Sequence, residues 1–95
     1  MRPEERVAAI EARLRAALAP LELEVQDESH RHRGHAGAAD GRGHFAVRLV
    51  SEAFRGQRPL ARHRLVYAAL GSLMETDIHA LAIRAFAPGE GEPLD

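Results

Sequence analysis

The chain has no cysteine, and it has no lysine: all 13 of its basic residues are arginine. Without thiols it can build no disulfide framework, offers no cysteine nucleophile and cannot hold a soft metal centre alone. Any metal chemistry would need a partner. The missing lysine reads as a coding bias as much as a demand of any site, and it carries little functional weight. Long apolar runs are missing too. None approaches the roughly 20 residues that span a bilayer, and Met1-Arg2-Pro3-Glu4-Glu5 lacks the apolar stretch of a secretory signal. A cytoplasmic protein, or one of an equivalent organelle interior, with no membrane association, is expected. A formal net charge of -1 excludes a broadly basic nucleic-acid binder but leaves room for local patches.

What the chain does have is histidine, six in 95 residues. His30, His32, His35 and His44 crowd one glycine-rich stretch, and His79 sits in the apolar run Ile78-His79-Ala80-Leu81-Ala82-Ile83. The length supports one domain with one core, and 45% hydrophobic with 28% charged residues is ordinary for a globular chain.

Val7, Ile10, Leu14 and Leu18 recur every three or four residues, which predicts a helix from Pro3 to Leu18, stopped by Pro20. Leu21 to Glu28 alternates apolar and polar strictly, as a strand with one buried face and one acidic face does. His44 to Val50 is a second strand with Phe45, Val47 and Leu49 on one side, paired with the first as a hairpin. Their connection, Ser29 to Gly43, holds four glycines and three histidines and is far longer than a hairpin turn.

Glu52 to Gly56 reads as a turn. Pro59 opens a second helix through Met74, in which Gly71 costs about 1 kcal/mol relative to alanine and marks close packing. Ile78 to Ala85 is a third, aliphatic strand. Residues 3–88 form a single domain, and 89–95 an acidic tail whose composition is that of a flexible segment. The order α-β-β-α-β predicts an α+β two-layer fold, a three-stranded mixed sheet with the helices on one face.

His30, His32 and His35 form H-x-H-x-x-H, a spacing that can converge on one metal ion through neutral imidazole nitrogens. The same composition describes an ordinary solvated loop. By alternation His79 shares a face with Leu81 and Ile83, partly buried or at a rim, where a structural histidine is the usual occupant. His44 and His63 read as structural or surface residues. Arg55, Arg58, Arg62, His63 and Arg64 make a local basic patch with no acidic residue from Ala53 to Met74, suited either to phosphate or to plain solvation. A helix-turn-helix would need a preceding helix, and strands flank this unit instead. No nucleophile elbow, Walker sequence or G-x-G-x-x-G is present, so no enzyme is expected.

Five short motifs occur in order: Asp27-Glu28-Ser29-His30-Arg31-His32, His44-Phe45, Val50-Ser51-Glu52-Ala53-Phe54-Arg55-Gly56, Arg62-His63-Arg64-Leu65-Val66-Tyr67 and Ile78-His79-Ala80-Leu81-Ala82-Ile83. In them the chain resembles the BolA family over nearly its whole length. The resemblance implies a fold like the second class of KH domains without the nucleotide-clamping G-x-x-G. It also implies a monothiol glutaredoxin partner and a two-iron two-sulfur cluster shared with that partner and its glutathione, in iron homeostasis or cluster trafficking.

Under that resemblance the partner supplies two thiolates and this chain two imidazoles, an arrangement related to Rieske centres, and the isolated chain, a monomer or weak dimer, carries no cofactor. His79 matches the strand histidine and His32 the loop ligand. The family more often has tyrosine at His30 and asparagine at Arg33, so His30 and His35 remain rival loop ligands. Some members are implicated in transcription, which makes a DNA-binding regulator using Arg55, Arg58, Arg62, His63 and Arg64 the alternative.

Overall fold

The computed structural model describes residues 1–32 and 41–91, and only the backbone of Arg31 and His32. Its elements are α1 (Arg6–Leu18), β1 (Glu22–Asp27), β2 (Gly43–Val50), α2 (Pro59–Leu70), α3 (Leu73–Thr76) and β3 (Ile78–Phe86). Short 3-10 turns at Pro3–Glu5, Ser29–His32 and Glu52–Phe54 precede α1, leave β1 and follow β2. The three strands form one mixed sheet in the order β1-β2-β3, with β1 antiparallel and β3 parallel to the central β2. This is the α+β two-layer architecture expected from the element order.

Ile10, Leu14 and Leu18 lie at successive i, i+4 positions of α1 and are all buried. They meet Phe45, Val47 and Leu49 of β2, whose alternation sends every second side chain to the helix side, together with Val66 and Leu70 of α2. The central strand therefore carries the core. Ser51, just past β2, is buried as well; its hydroxyl donates to the Leu18 carbonyl at 2.5 Å and accepts from the Ala53 amide at 3.1 Å. That tie joins the end of α1 to the turn leading into α2.

Among the described residues, no helix covers the opposite face of the sheet. Glu22, Glu24 and Gln26 are exposed there, His44, Ala46 and Arg48 are half-buried, and Ala80, Ala82 and Arg84 are exposed. On that face the Arg48 guanidinium reaches Glu22 at 3.0 Å and lies over the Phe86 ring at 5.7 Å from its centroid.

Two boundaries differ from expectation. The helix predicted through Met74 ends at Leu70, because Gly71 turns to φ 55°, ψ -128°, and a separate turn of helix, α3, follows. The Gly71 amide still bonds to the Tyr67 carbonyl at 2.9 Å, while Arg13 of α1 caps the Leu70 carbonyl at 2.9 Å. Glu90, assigned to a flexible tail, is instead anchored. It accepts two bonds from Arg62, at 2.6 and 3.0 Å, and one from the Ala87 amide at 3.1 Å.

Candidate functional site

The site is built where β2 and β3 begin. Gly43 pairs with Ile78 and His44 with Ala80, which leaves His79 as the extra residue of a β-bulge. The extra residue shifts the alternation, so His79 and Ala80 are both exposed. Expectation had placed His79 with Leu81 and Ile83 on a partly buried face; the bulge turns it outward instead.

Gly43 is required by crowding. A Cβ there would stand 2.7 Å from both Ser29 Oγ and Phe45 Cε2. Ser29 Oγ in turn accepts the His44 amide at 3.1 Å, and the Ser29 amide donates to Asp27 Oδ1 at 2.9 Å. The end of β1, its turn and the start of β2 are thereby held together around His44.

The outcome is a pair of imidazoles. His44 and His79 have ring centroids 5.2 Å apart with planes tilted by 49°. Beside His44 opens a cleft of about 330 Å³ lined by Glu28, His44, Phe45 and the Ala80–Ala82 stretch of β3. Arg42 Nη2 lies 3.2 Å from His79 Nδ1. A guanidinium only donates, so Nδ1 accepts and the neutral ring carries its proton on Nε2. Ligation through Nε2 requires the other tautomer, and ligation through Nδ1 requires Arg42 to withdraw.

Among the described residues no group of three or more His, Cys, Asp or Glu side chains is arranged to hold a metal ion. Two imidazoles alone make an incomplete centre. Just ahead of β3, Asp77 is buried, and the Thr76 hydroxyl and the Arg6 guanidinium hold its carboxyl below the usual carboxylate range.

The histidines nominated from the sequence are only partly brought together. His30 is exposed on the turn after β1, and His32 ends that turn with its side chain outside the described part. His35, and with it the full H-x-H-x-x-H run, lies outside the described residues. His44, which the sequence reads as structural or surface, is the residue that stands beside His79. Its signal was present in the alternation of β2: Phe45 inward puts His44 on the open face, but the parallel register that sets it beside His79 is a tertiary fact.

The basic patch is less basic than its composition. Arg55 makes two 2.9 Å bonds to Glu52, and Arg62 spans Glu90, the Ala85 carbonyl and the Gln57 carbonyl with its side chain 13% exposed. Arg58 and Arg64 are exposed, and His63 is half-buried.

Fold and site together define a small α+β domain whose open sheet face carries paired histidines at the end of a histidine-rich connection. The chain belongs to the BolA family: that family's sequence model, described as BolA-like protein, matches residues 14–90. It is 47% identical over 85 residues to the DNA-binding transcriptional regulator BolA of Escherichia coli, covering 90% of this chain and 78% of that protein. It is 45% identical over 86 residues to SufE-like protein 1, chloroplastic/mitochondrial, of Arabidopsis thaliana, covering 85% of this chain but only 23% of that much longer protein. Among solved structures, the BolA domain of SufE1 from Arabidopsis thaliana superposes with a TM-score of 0.80 at 41% identity, over 90% of this chain and 95% of that one. BolA1 from the same plant gives 0.77 at 34% identity, over 92% and 96%. No helix among the described residues is long and apolar enough to cross a membrane.

Proposed function

We propose that this chain is a non-enzymatic adaptor that binds a monothiol glutaredoxin and co-ligates a two-iron two-sulfur cluster for cluster trafficking or iron homeostasis. The supporting observation is His79, exposed at the start of β3 beside His44 and next to Ala80 at the edge of a cleft, in a chain that has no thiol of its own. The donor set fits such a cluster as one half of a mixed site, in which imidazoles hold one iron and thiolates from the partner and its glutathione hold the other. His79 is the strand ligand and His32 the loop ligand of this proposal, with His30 and His35 as loop rivals and His44 packed against His79. When bound, the cluster supplies electron-transfer or iron-donor chemistry. The chain's part is to present neutral imidazoles and to leave the cleft open to a partner.

Mixing the chain with a cluster-loaded monothiol glutaredoxin should change the visible absorption and circular dichroism. An unchanged spectrum of the mixture with His79→Ala in place of the wild type would sink the ligand assignment.

The second reading is a DNA-binding regulator, favoured by the name of the Escherichia coli relative and by exposed Arg58 and Arg64 on or next to α2. Of the five candidates Arg55, Arg58, Arg62, His63 and Arg64, two already serve carboxylates within the chain, which weakens the patch for phosphate. Gel-shift titrations in rising salt decide. Sequence-specific binding lost in Arg64→Ala promotes this reading; binding to any DNA only at very low salt removes it.

A further inference from the structure

Three consecutive residues at the exit of the histidine-rich connection, Gly41, Arg42 and Gly43, are each tied to the segment that starts β3 or to the residue that braces it. Gly41 offers its carbonyl to Arg6 Nη2 at 2.8 Å, and the same guanidinium donates through Nε to Asp77 Oδ2 at 2.9 Å. Arg42 reaches His79 Nδ1, and the Gly43 amide donates to the Asp77 carbonyl at 2.9 Å. Thr76 Oγ1 donates to the other Asp77 oxygen at 2.6 Å. The Arg6 and Asp77 side chains are 12% and 8% exposed, so this ion pair is largely removed from water.

We propose that Arg6 is a positioning residue for the His44–His79 pair. From the first turn of α1 it joins the chain three residues before His44 to the chain two residues before His79, and so sets the register of the bulge that brings the rings together. Nothing in the core requires this contact there. The packing of α1 is carried by Ile10, Leu14 and Leu18, one to three turns further along the helix. The side chain's chemistry is specific as well: one planar guanidinium serves a carboxylate and a carbonyl at once, whereas an ammonium is a point charge that cannot reproduce this fork. In consequence the cluster-binding reading, on which the functional effect rests, acquires a residue in α1 far in sequence from any histidine. Outer residues of this kind typically alter metal affinity without touching the metal.

The test is Arg6→Lys, which keeps the charge and gives up the fork. Ring-to-ring nuclear Overhauser contacts between His44 and His79 are measured in the isolated protein, thermal unfolding is followed in parallel, and the visible circular dichroism of the complex with a cluster-loaded monothiol glutaredoxin is recorded. A folded Arg6→Lys chain in which the ring contacts weaken, and whose complex holds the cluster about tenfold less tightly, is the expected result. Asp77→Asn removes the other end of the same tie and gives the same readout if Arg6→Lys does not fold. Ring contacts identical to wild type in a folded variant would overturn the proposal. Should wild type itself fail to change the glutaredoxin spectrum, the adaptor reading falls, while the ring contacts still decide the role of Arg6.

Discussion

His44 and His79 lie 5.2 Å apart, ring centroid to ring centroid, because one residue of β3 has no counterpart in β2. A regular parallel pairing would return His79 to the inner face and separate the rings. The bulge is held open at Gly43, where no side chain fits between Ser29 Oγ and the Phe45 ring. Bulges re-aim side chains, and this one turns His79 out beside His44.

Gly43→Ala should therefore damage the fold and the site together. The new methyl would overlap Ser29 Oγ, which holds the His44 amide, and a core ring that is 2% exposed. The ring is packed in the core, so the backbone must move, with an expected loss of about 1–3 kcal/mol. Urea unfolding measures the loss, and a loss of the His44–His79 ring contact in the surviving folded fraction measures the displacement. A fully stable variant with unchanged ring contacts would show that Gly43 is not what holds the bulge.

Acid stability should depend on the Arg62–Glu90 pair. The Arg62 guanidinium and the Ala87 amide pull the Glu90 carboxyl down to about 2 from its usual 4.5. A carboxyl depressed by folding stabilises the fold above its unfolded value and loses that contribution as pH falls through the folded one. Glu90→Gln should thus be less stable than wild type at neutral pH, and the gap should close between pH 4.5 and about 2. Thermal midpoints of the two proteins across that range check it; a gap that stays constant down to pH 2 contradicts the assignment.

Much of this fold was legible from periodicity. The i, i+4 burial of Ile10, Leu14 and Leu18 and the alternation of Phe45, Val47 and Leu49 are local patterns that report which side is inward. What escaped was non-local. Arg62 reads as a free cation because its carboxylate, Glu90, lies 28 residues further along the chain; the Glu52–Arg55 pair, three residues apart, is by contrast a local contact. That His44 stands beside His79 is hidden in the sequence because the strand that carries His79 is 35 residues further along the chain. Alternation places His79 with Leu81 and Ile83, and the structure exposes it instead, since a bulge leaves no trace in hydrophobic alternation.

At Gly71 the structure reverses the sign that helix propensity gives. Within a continuous helix, alanine would add about 1 kcal/mol. The observed φ of 55° with ψ of -128° is instead a conformation that an L side chain adopts at a cost, and a Cβ would come within 3.3 Å of Arg13 Nη1, which caps Leu70. Gly71→Ala should lower stability by about 1–3 kcal/mol in denaturant unfolding. A gain of stability would mean that α2 and α3 merge into one helix when the glycine is removed.

Cluster retention should fall with pH even where the fold is intact. An imidazole can ligate only through a nitrogen free of its proton, so acid competes with iron for each histidine. With a glutaredoxin partner present, the visible circular dichroism of the wild-type complex should weaken as pH falls from about 8 to about 6, while the far-ultraviolet signal of the chain stays constant. His44→Ala separates a ligand from a neighbour. If His44 only packs against His79, the variant keeps the wild-type spectrum at about pH 8; if it supplies the second imidazole, the visible signal is lost at every pH while the fold persists. Retention that is flat across the range in the wild type would exclude histidine ligation altogether.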